Sequence, residues 1–283
     1  MLQIADRALP HTTTTVLTAL QAIIDVGPDY AARVALAKKQ WDGKTGSVAK
    51  AAAFHSIRAT LDKMCVGPRR CAYCEDSLAD EIEHILPKDL FPQNAFRWSN
   101  YLFACGPCNG PKSNRYGVLD GNAVSEFIRV KNAAIIPPPD GIAGCIDPRS
   151  EDPTLLLELD LGGTTPDGSV LEGTFNFMAA EGLPLTDLAR AEFTIDVLSL
   201  NREIMRVARE SAFTGFRARL REYVVEKNAG AAEQKLGRLR DGVLNSSHLT
   251  VFSEMRRQRQ VLPDIRNLLE QAPEAMGWSV VRA

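Results

Sequence analysis

Apolar residues recur at helical spacing through the first quarter of the chain. Val34, Leu36, Ala37 and Trp41 share roughly one face, and Ala51, Phe54, Ile57, Arg58 and Leu61 run along one side of a later segment. That period predicts helices within 12–64, broken at Gly27-Pro28 and Gly43–Gly46, the last running from Ser47 to Met64 before Gly67-Pro68 stops it. Between 65 and 120 the segments are short and turn-rich, and no long helix fits. Beyond the Pro137-Pro138-Pro139-Asp140-Gly141 loop come two strand candidates, Leu155–Leu161 and Ser169–Met178. Gly162, Gly163, Pro166 and Gly168 between them predict a β-hairpin with a long turn. From Leu185 onward a broad 3.6-residue stripe returns, through Leu188, Phe193, Val197, Leu200, Ile204 and Phe213, with breaks near Asn228-Ala229-Gly230, Asn245-Ser246-Ser247 and Pro263. The predicted organisation is a helical region at 1–64, a compact module at 65–120, a loop and β-hairpin connection at 121–184, and a helical region at 185–283. The fold class is α+β.

Composition narrows the function classes. With 45% hydrophobic and 24% charged residues in 283, the chain can bury a sizeable core. Its net charge of −2 excludes a molecule that holds nucleic acid by bulk charge, so any such contact needs a local patch or a partner. The start has no basic stretch leading into an apolar one, so no signal peptide is expected. No apolar run approaches the ~20 residues that span a bilayer. A cytoplasmic protein with no membrane partner is expected, and its six cysteines read as metal ligands or buried thiols rather than disulfides.

Two C-x2-C pairs carry the chemistry: Cys71-Ala-Tyr-Cys74 and Cys105-Gly-Pro-Cys108. Each spacing lets two thiolates face one ion from a tight turn, and two such turns suit a structural Zn²⁺. One pair alone would also fit a redox motif. Cys65 and Cys145 lack paired spacing, although Cys65 lies close enough to compete with Cys71. Between the pairs lie Ile82-Glu83-His84-Ile85-Leu86-Pro87-Lys88 and Trp98-Ser99-Asn100-Tyr101-Leu102, and the second pair runs on into Asn109-Gly110-Pro111-Lys112. The nucleobase-deaminase pattern of H-x-E followed by P-C-x-x-C does not fit, because Glu83 directly precedes His84 and Pro107 precedes the last cysteine of its pair. His11, His55 and His248 read as structural or surface residues. Phe91, Phe96, Trp98 and Phe103 read as a small core under a hairpin.

This order of fragments resembles the zinc-knuckle HNH nucleases. C-x-Y-C-E, I-E-H-I-x-P-K, W-x-N and C-x-x-C-N-x-x-K are similar to the HNH subunit of Septu-type anti-phage systems and their retron-associated relatives. Ile146-Asp147-Pro148, Asp152-Pro153 and the stretch around Leu200-Asn201-Arg202 fit as well. The likeness covers about residues 70–210, and the flanks do not match. It implies a ββα-metal module stapled by zinc on Cys71, Cys74, Cys105 and Cys108. It also implies His84 as general base, Asn100 tying the loop, and Glu83 and Asn109 as oxygen ligands for a catalytic Mg²⁺ or similar divalent cation. The variant is His-Asn-Asn rather than His-Asn-His. Lys112, three residues after Asn109, is a candidate phosphate contact with an equally good reading as a solvated lysine.

The implied function is metal-dependent phosphodiester hydrolysis, with DNA favoured over RNA, beside an ABC-type ATPase partner. Two alternatives stay open: an RNA (tRNA) nuclease effector, and a non-catalytic zinc-stabilised binding subunit. The 65–120 module is slightly acidic, while residues from 185 onward carry 16 Lys and Arg against 13 Asp and Glu. A solvated, salt-bridged face explains that surplus more simply than a duplex contact. Weak nucleic-acid binding by the isolated chain is therefore expected.

Overall fold

The computed structural model describes residues 1–130 and 132–278; the last five residues of the C-terminal region lie outside the described residues. Among the described residues the fold is α+β, with helices in the first and last thirds and four small two-stranded sheets between them. The first third forms α1 (His11–Asp25), α2 (Tyr30–Asp42) and α3 (Val48–Met64). Asp29 and Ser47 start the second and third helices by accepting the amides of Ala32 and Lys50, which satisfies donors the helix itself cannot. In α1, Leu17, Leu20 and Ile24 are buried at three- and four-residue spacing, and they pack with Phe54, Ile57 and Leu61 of α3.

A hairpin follows: β1 (Glu81–His84) pairs antiparallel with β2 (Tyr101–Ala104), Glu83 opposite Leu102 and His84 opposite Tyr101. The seven-residue helix α4 (Gly106–Lys112) comes directly after β2. All four β2 residues are buried, because the hairpin is covered on both faces. Tyr101 and Phe103 point into the cluster with α1 and α3, while Leu102 and Ala104 point into a larger cluster built mainly by the C-terminal helices. A strand covered on both faces reads as an unbroken apolar run, which explains Tyr-Leu-Phe-Ala.

The pair β3 (Gly117–Asp120) and β4 (Ala123–Glu126) was not anticipated in the sequence. Gly121, at φ 60°, opens its two-residue turn, where such hairpins need positive φ. The expected long hairpin exists as two nested ones: β5 (Leu157–Leu159) pairs with β8 (Phe177–Ala179), and inside it β6 (Gly162–Thr164) pairs with β7 (Val170–Glu172). Ser169–Met178 is thus not one strand. Phe175 breaks it at φ 54°, and the Asp160 carboxylate accepts from Gly162 N, Thr174 N and Thr174 Oγ1, fixing the break on both arms.

The remainder is helical: α5 (Leu185–Val197), α6 (Glu203–Asn228), α7 (Glu233–Leu244), α8 (Leu249–Arg257) and α9 (Pro263–Gln271). The stripe expected to run through Leu200 is interrupted at 198–202. There Ser199 takes φ 47°, and the Asn201 side chain brackets Phe177, accepting from its N at 2.8 Å and donating to its O at 2.8 Å. Among the described residues no helix is long and apolar enough to cross a membrane.

Candidate metal centre and polar cleft

The four paired cysteines converge. Cys71 and Cys74 sit in the turn ahead of β1, Cys105 is the N-cap of α4, and Cys108 lies in its first turn. All four are buried, and their sulfurs lie within 4.8 Å of one another. Cys74 and Cys105 Sγ are 3.8 Å apart. A tetrahedral ion with Zn–S bonds of about 2.3 Å needs sulfurs spaced by about 3.8 Å, so the donor set and spacing fit Zn²⁺. Hydrogen bonding among the sulfurs pulls the Cys74 and Cys105 thiols below their ordinary value and pushes Cys71 and Cys108 above it, so the four share a proton economy that one cation would replace. Arg202 closes the centre from outside. It donates to Pro107 O at 2.6 Å, and its other terminal nitrogen lies 3.5 Å from Cys108 Sγ. A guanidinium there offsets the negative charge that four thiolates leave on a divalent ion. Cys65 and Cys145 stand apart from the centre. His248 is buried against Asp76 at 3.1 Å.

Beside β1 and α4 opens a polar cleft of about 360 Å³, lined by Trp41, Glu81, Glu83, His84, Lys88 and Asn109 among others. His84 is 7% exposed, its ring packed between Trp41 at 4.3 Å and Tyr101 at 5.2 Å between centroids. Its Nε2 lies 3.0 Å from Ala95 O. A carbonyl can only accept, so Nε2 carries the proton and Nδ1 keeps its lone pair, with no protein hydrogen bond among the described residues. Burial holds the imidazole down to about 3, against the help of the Ala95 carbonyl, so the ring is neutral at neutral pH.

Glu83 and Asn109 line the same cleft as His84. Glu83 is 4% exposed, and its Oε1 lies 2.5 Å from Lys112 Nζ, a charge contact without hydrogen-bond alignment. Burial pushes its carboxyl above the usual value while Lys112 opposes that rise. Lys112, suggested by the sequence as a phosphate contact, is 1% exposed, and its ammonium is engaged by Glu83 and by His84 O at 2.8 Å. Asn109 donates from Nδ2 to Glu81 Oε2 at 2.6 Å, which turns its carbonyl oxygen away from that bond. Asn100 stands behind the site: Oδ1 accepts Leu86 N at 2.8 Å, and Nδ2 donates to Leu86 O and Asn94 O, both at 3.0 Å.

Those three bonds hold the chain that leaves β1 against the segment carrying Ala95. Asn100→Ala strips partners from three part-buried backbone groups, and we expect a loss of about 3 kcal/mol, read as a lower urea midpoint at unchanged slope. A variant as stable as the parent would show that water replaces the amide without cost.

Three contributors escaped the sequence reading. Glu81 is two residues before Glu83 on the same strand face, so period-2 alternation could have flagged it. Arg202 sat in a motif fragment without an assigned role. Trp41 had shown only helical spacing, and nothing local ties it to His84.

The fold and site define an α+β protein with a buried four-cysteine centre, fit for zinc, against a polar cleft holding a neutral histidine. Among curated proteins the chain is similar to the Septu protein PtuB of Bacillus thuringiensis, at 44% identity over 48 residues, which is 15% of this chain and 19% of that protein. The match therefore spans less than a fifth of the relative's length. No protein-family model matches the chain. No solved structure matches it.

Proposed function

We propose that this chain is an HNH-type, ββα-metal endonuclease that hydrolyses phosphodiester bonds, DNA before RNA, as the effector of an anti-phage defence system working beside an ATPase subunit. The observation that carries the reading is His84. It is neutral, its tautomer is dictated by Ala95 O, and it lines a cleft shared with Glu81, Glu83 and Asn109. Nδ1 is the ring nitrogen left to take a proton from an attacking water, against the burial that holds the imidazole down. Trp41 and Tyr101 hold the ring at a single angle, and Asn100 maintains the loop that supplies Ala95.

Two groups of the cleft carry the oxygen chemistry a hard divalent cation takes: the Glu83 carboxylate, whose Oε1 is held by Lys112, and the Asn109 carbonyl oxygen beside Glu81. When bound by Glu83 and Asn109, Mg²⁺ or a similar ion would stabilise charge on the phosphoryl group and the leaving oxygen. The partial likeness to a Septu protein supports the defence role, and the ATPase partner rests on the motif resemblance alone.

The test is cleavage of duplex DNA, single-stranded DNA and tRNA with Mg²⁺, with and without the neighbouring ATPase, by the parent and by His84→Ala. Removing a general base costs roughly 10²–10⁴-fold. We expect a loss of at least about a hundredfold with zinc content unchanged. A parent inert on all substrates, or a variant cutting at the parental rate, overturns the reading in favour of a zinc-stabilised binding subunit. Preferential cleavage of tRNA would transfer it to RNA.

A further inference from the structure

The floor of the cleft is acidic, since Glu81, Glu83 and Asp89 all line it. A polyanion entering it needs cations at the rim, and Lys112 is buried out of reach. The N-terminal helices supply them. Residues 30–64 carry seven Lys and Arg against two Asp, a local surplus hidden by the overall charge of −2. Trp41 ties this corner to the site, because its ring packs on His84. Lys44, three residues on, places Nζ 4.7 Å from the centroid of that same ring and donates to Trp41 O at 3.3 Å. Lys44 thus packs against Trp41, a ring that itself lines the cleft.

Among the described residues, Lys44 has no carboxylate within ion-pair distance. Lys88 lines the cleft, and its acid is Asp89 at 3.5 Å. That carboxylate is already engaged by Lys38 at 3.0 Å and by Asn114 at 3.1 Å. Burial lowers the Lys44 ammonium below its ordinary value; Asp42 opposes that shift, and the positive field of Arg58 and Lys88 adds to it. Like charges gathered by packing, with too few carboxylates to pair them, form a place for anions.

We propose that Lys44 and Lys88 form a phosphate seat on the rim of the cleft, gripping a nucleic-acid backbone beside the phosphodiester presented to His84. Trp41 is the rigid wall between seat and imidazole. The proposal deepens the nuclease reading and rests on it for which phosphate reaches His84, but not for the binding itself.

The test uses the zinc-loaded full chain in Mg²⁺-free buffer, where cleavage does not interfere. The probes are a short labelled duplex DNA, its single strand and a single-stranded RNA, titrated over a range of salt. Lys44→Gln and Lys88→Gln should each weaken binding several-fold and independently of sequence. Each should flatten the slope of log affinity against log salt by about 0.9 on duplex or about 0.7 on single strands. Lys44→Arg should retain both affinity and slope. Equal affinity and slope in the double glutamine variant overturn the seat, as does a parent chain that binds no probe at low salt. The two readings fail separately. Lysine-dependent binding without any Mg²⁺-dependent cleavage leaves the seat and removes the nuclease; cleavage with binding undiminished in the double variant does the reverse.

Discussion

Stripping zinc, or replacing Cys105 by serine, will unfold the protein around its hairpin rather than only slow a reaction. The four cysteines sit inside the larger apolar cluster, in one core with Leu102, Ala104, Leu198 and Leu200. Without an ion, four buried thiols must share protons at distances set for a cation, and Arg202 is left over a cluster with no charge to balance. Binding energy at structural zinc sites is of the order of 10–16 kcal/mol in small zinc-dependent domains, comparable to or above the ~5–15 kcal/mol net stability of a typical protein. We expect one zinc per chain by elemental analysis. We also expect the cooperative melting transition to be lost on chelation and in Cys105→Ser, while Cys145→Ser, away from the centre, melts like the parent. Zinc-free protein that melts where the parent does would reduce the four cysteines to buried thiols.

Lys112→Met should cost about 3–5 kcal/mol, because it strands the Glu83 carboxylate in a site 4% exposed and removes the donor to His84 O. The deficit should depend on pH, with a definite sign. Glu83 already titrates above the ordinary carboxylate value, chiefly through burial. A carboxyl raised in the folded state favours folding most below its unfolded value and loses that contribution as pH rises through the folded one. Removing Lys112 raises Glu83 further, so the penalty is largest at neutral pH and shrinks as pH falls toward 4.5. Urea denaturation of parent and variant at neutral and mildly acidic pH measures it. The double variant Lys112→Met with Glu83→Gln should regain part of the loss, since no buried charge is then unpaired. A penalty independent of pH and unrelieved by Glu83→Gln would mean that the lysine matters only through packing and its bond to the backbone.

The phosphate contact suggested for Lys112 shows how far spacing carries and where it stops. Three residues after Asn109, the side chain had to share a helix face with the site. Whether that face met solvent or a carboxylate depended on how α4 docks on β1, which no local pattern encodes. Lys44 is the mirror case. It sits in a Gly-Lys-Thr-Gly turn with nothing nearby to mark it. Only the packing of Trp41 on His84 connects it with the cleft.

What the sequence by itself determined is local. Glycine and proline punctuation placed the three N-terminal helices and the breaks at 228–230, 245–247 and Pro263, because backbone freedom and missing amide donors act within a few residues. Paired C-x2-C spacing predicted one metal centre, because two tight turns that each present two sulfurs can close on a single ion. It missed the β3–β4 hairpin, where four-residue strands carry too little alternation to read. It also joined β7 to β8, since the Asp160 carboxylate that breaks them acts from the opposite arm. Tertiary structure alone decided that His84 would be walled by Trp41 from more than forty residues upstream, that Glu83 would face Lys112, and that Arg202 would close the cysteine centre from ninety-four residues beyond Cys108. Desolvation, ion pairing and ring packing depend on which surfaces meet, and sequence periodicity records only that a face will be covered, not by what.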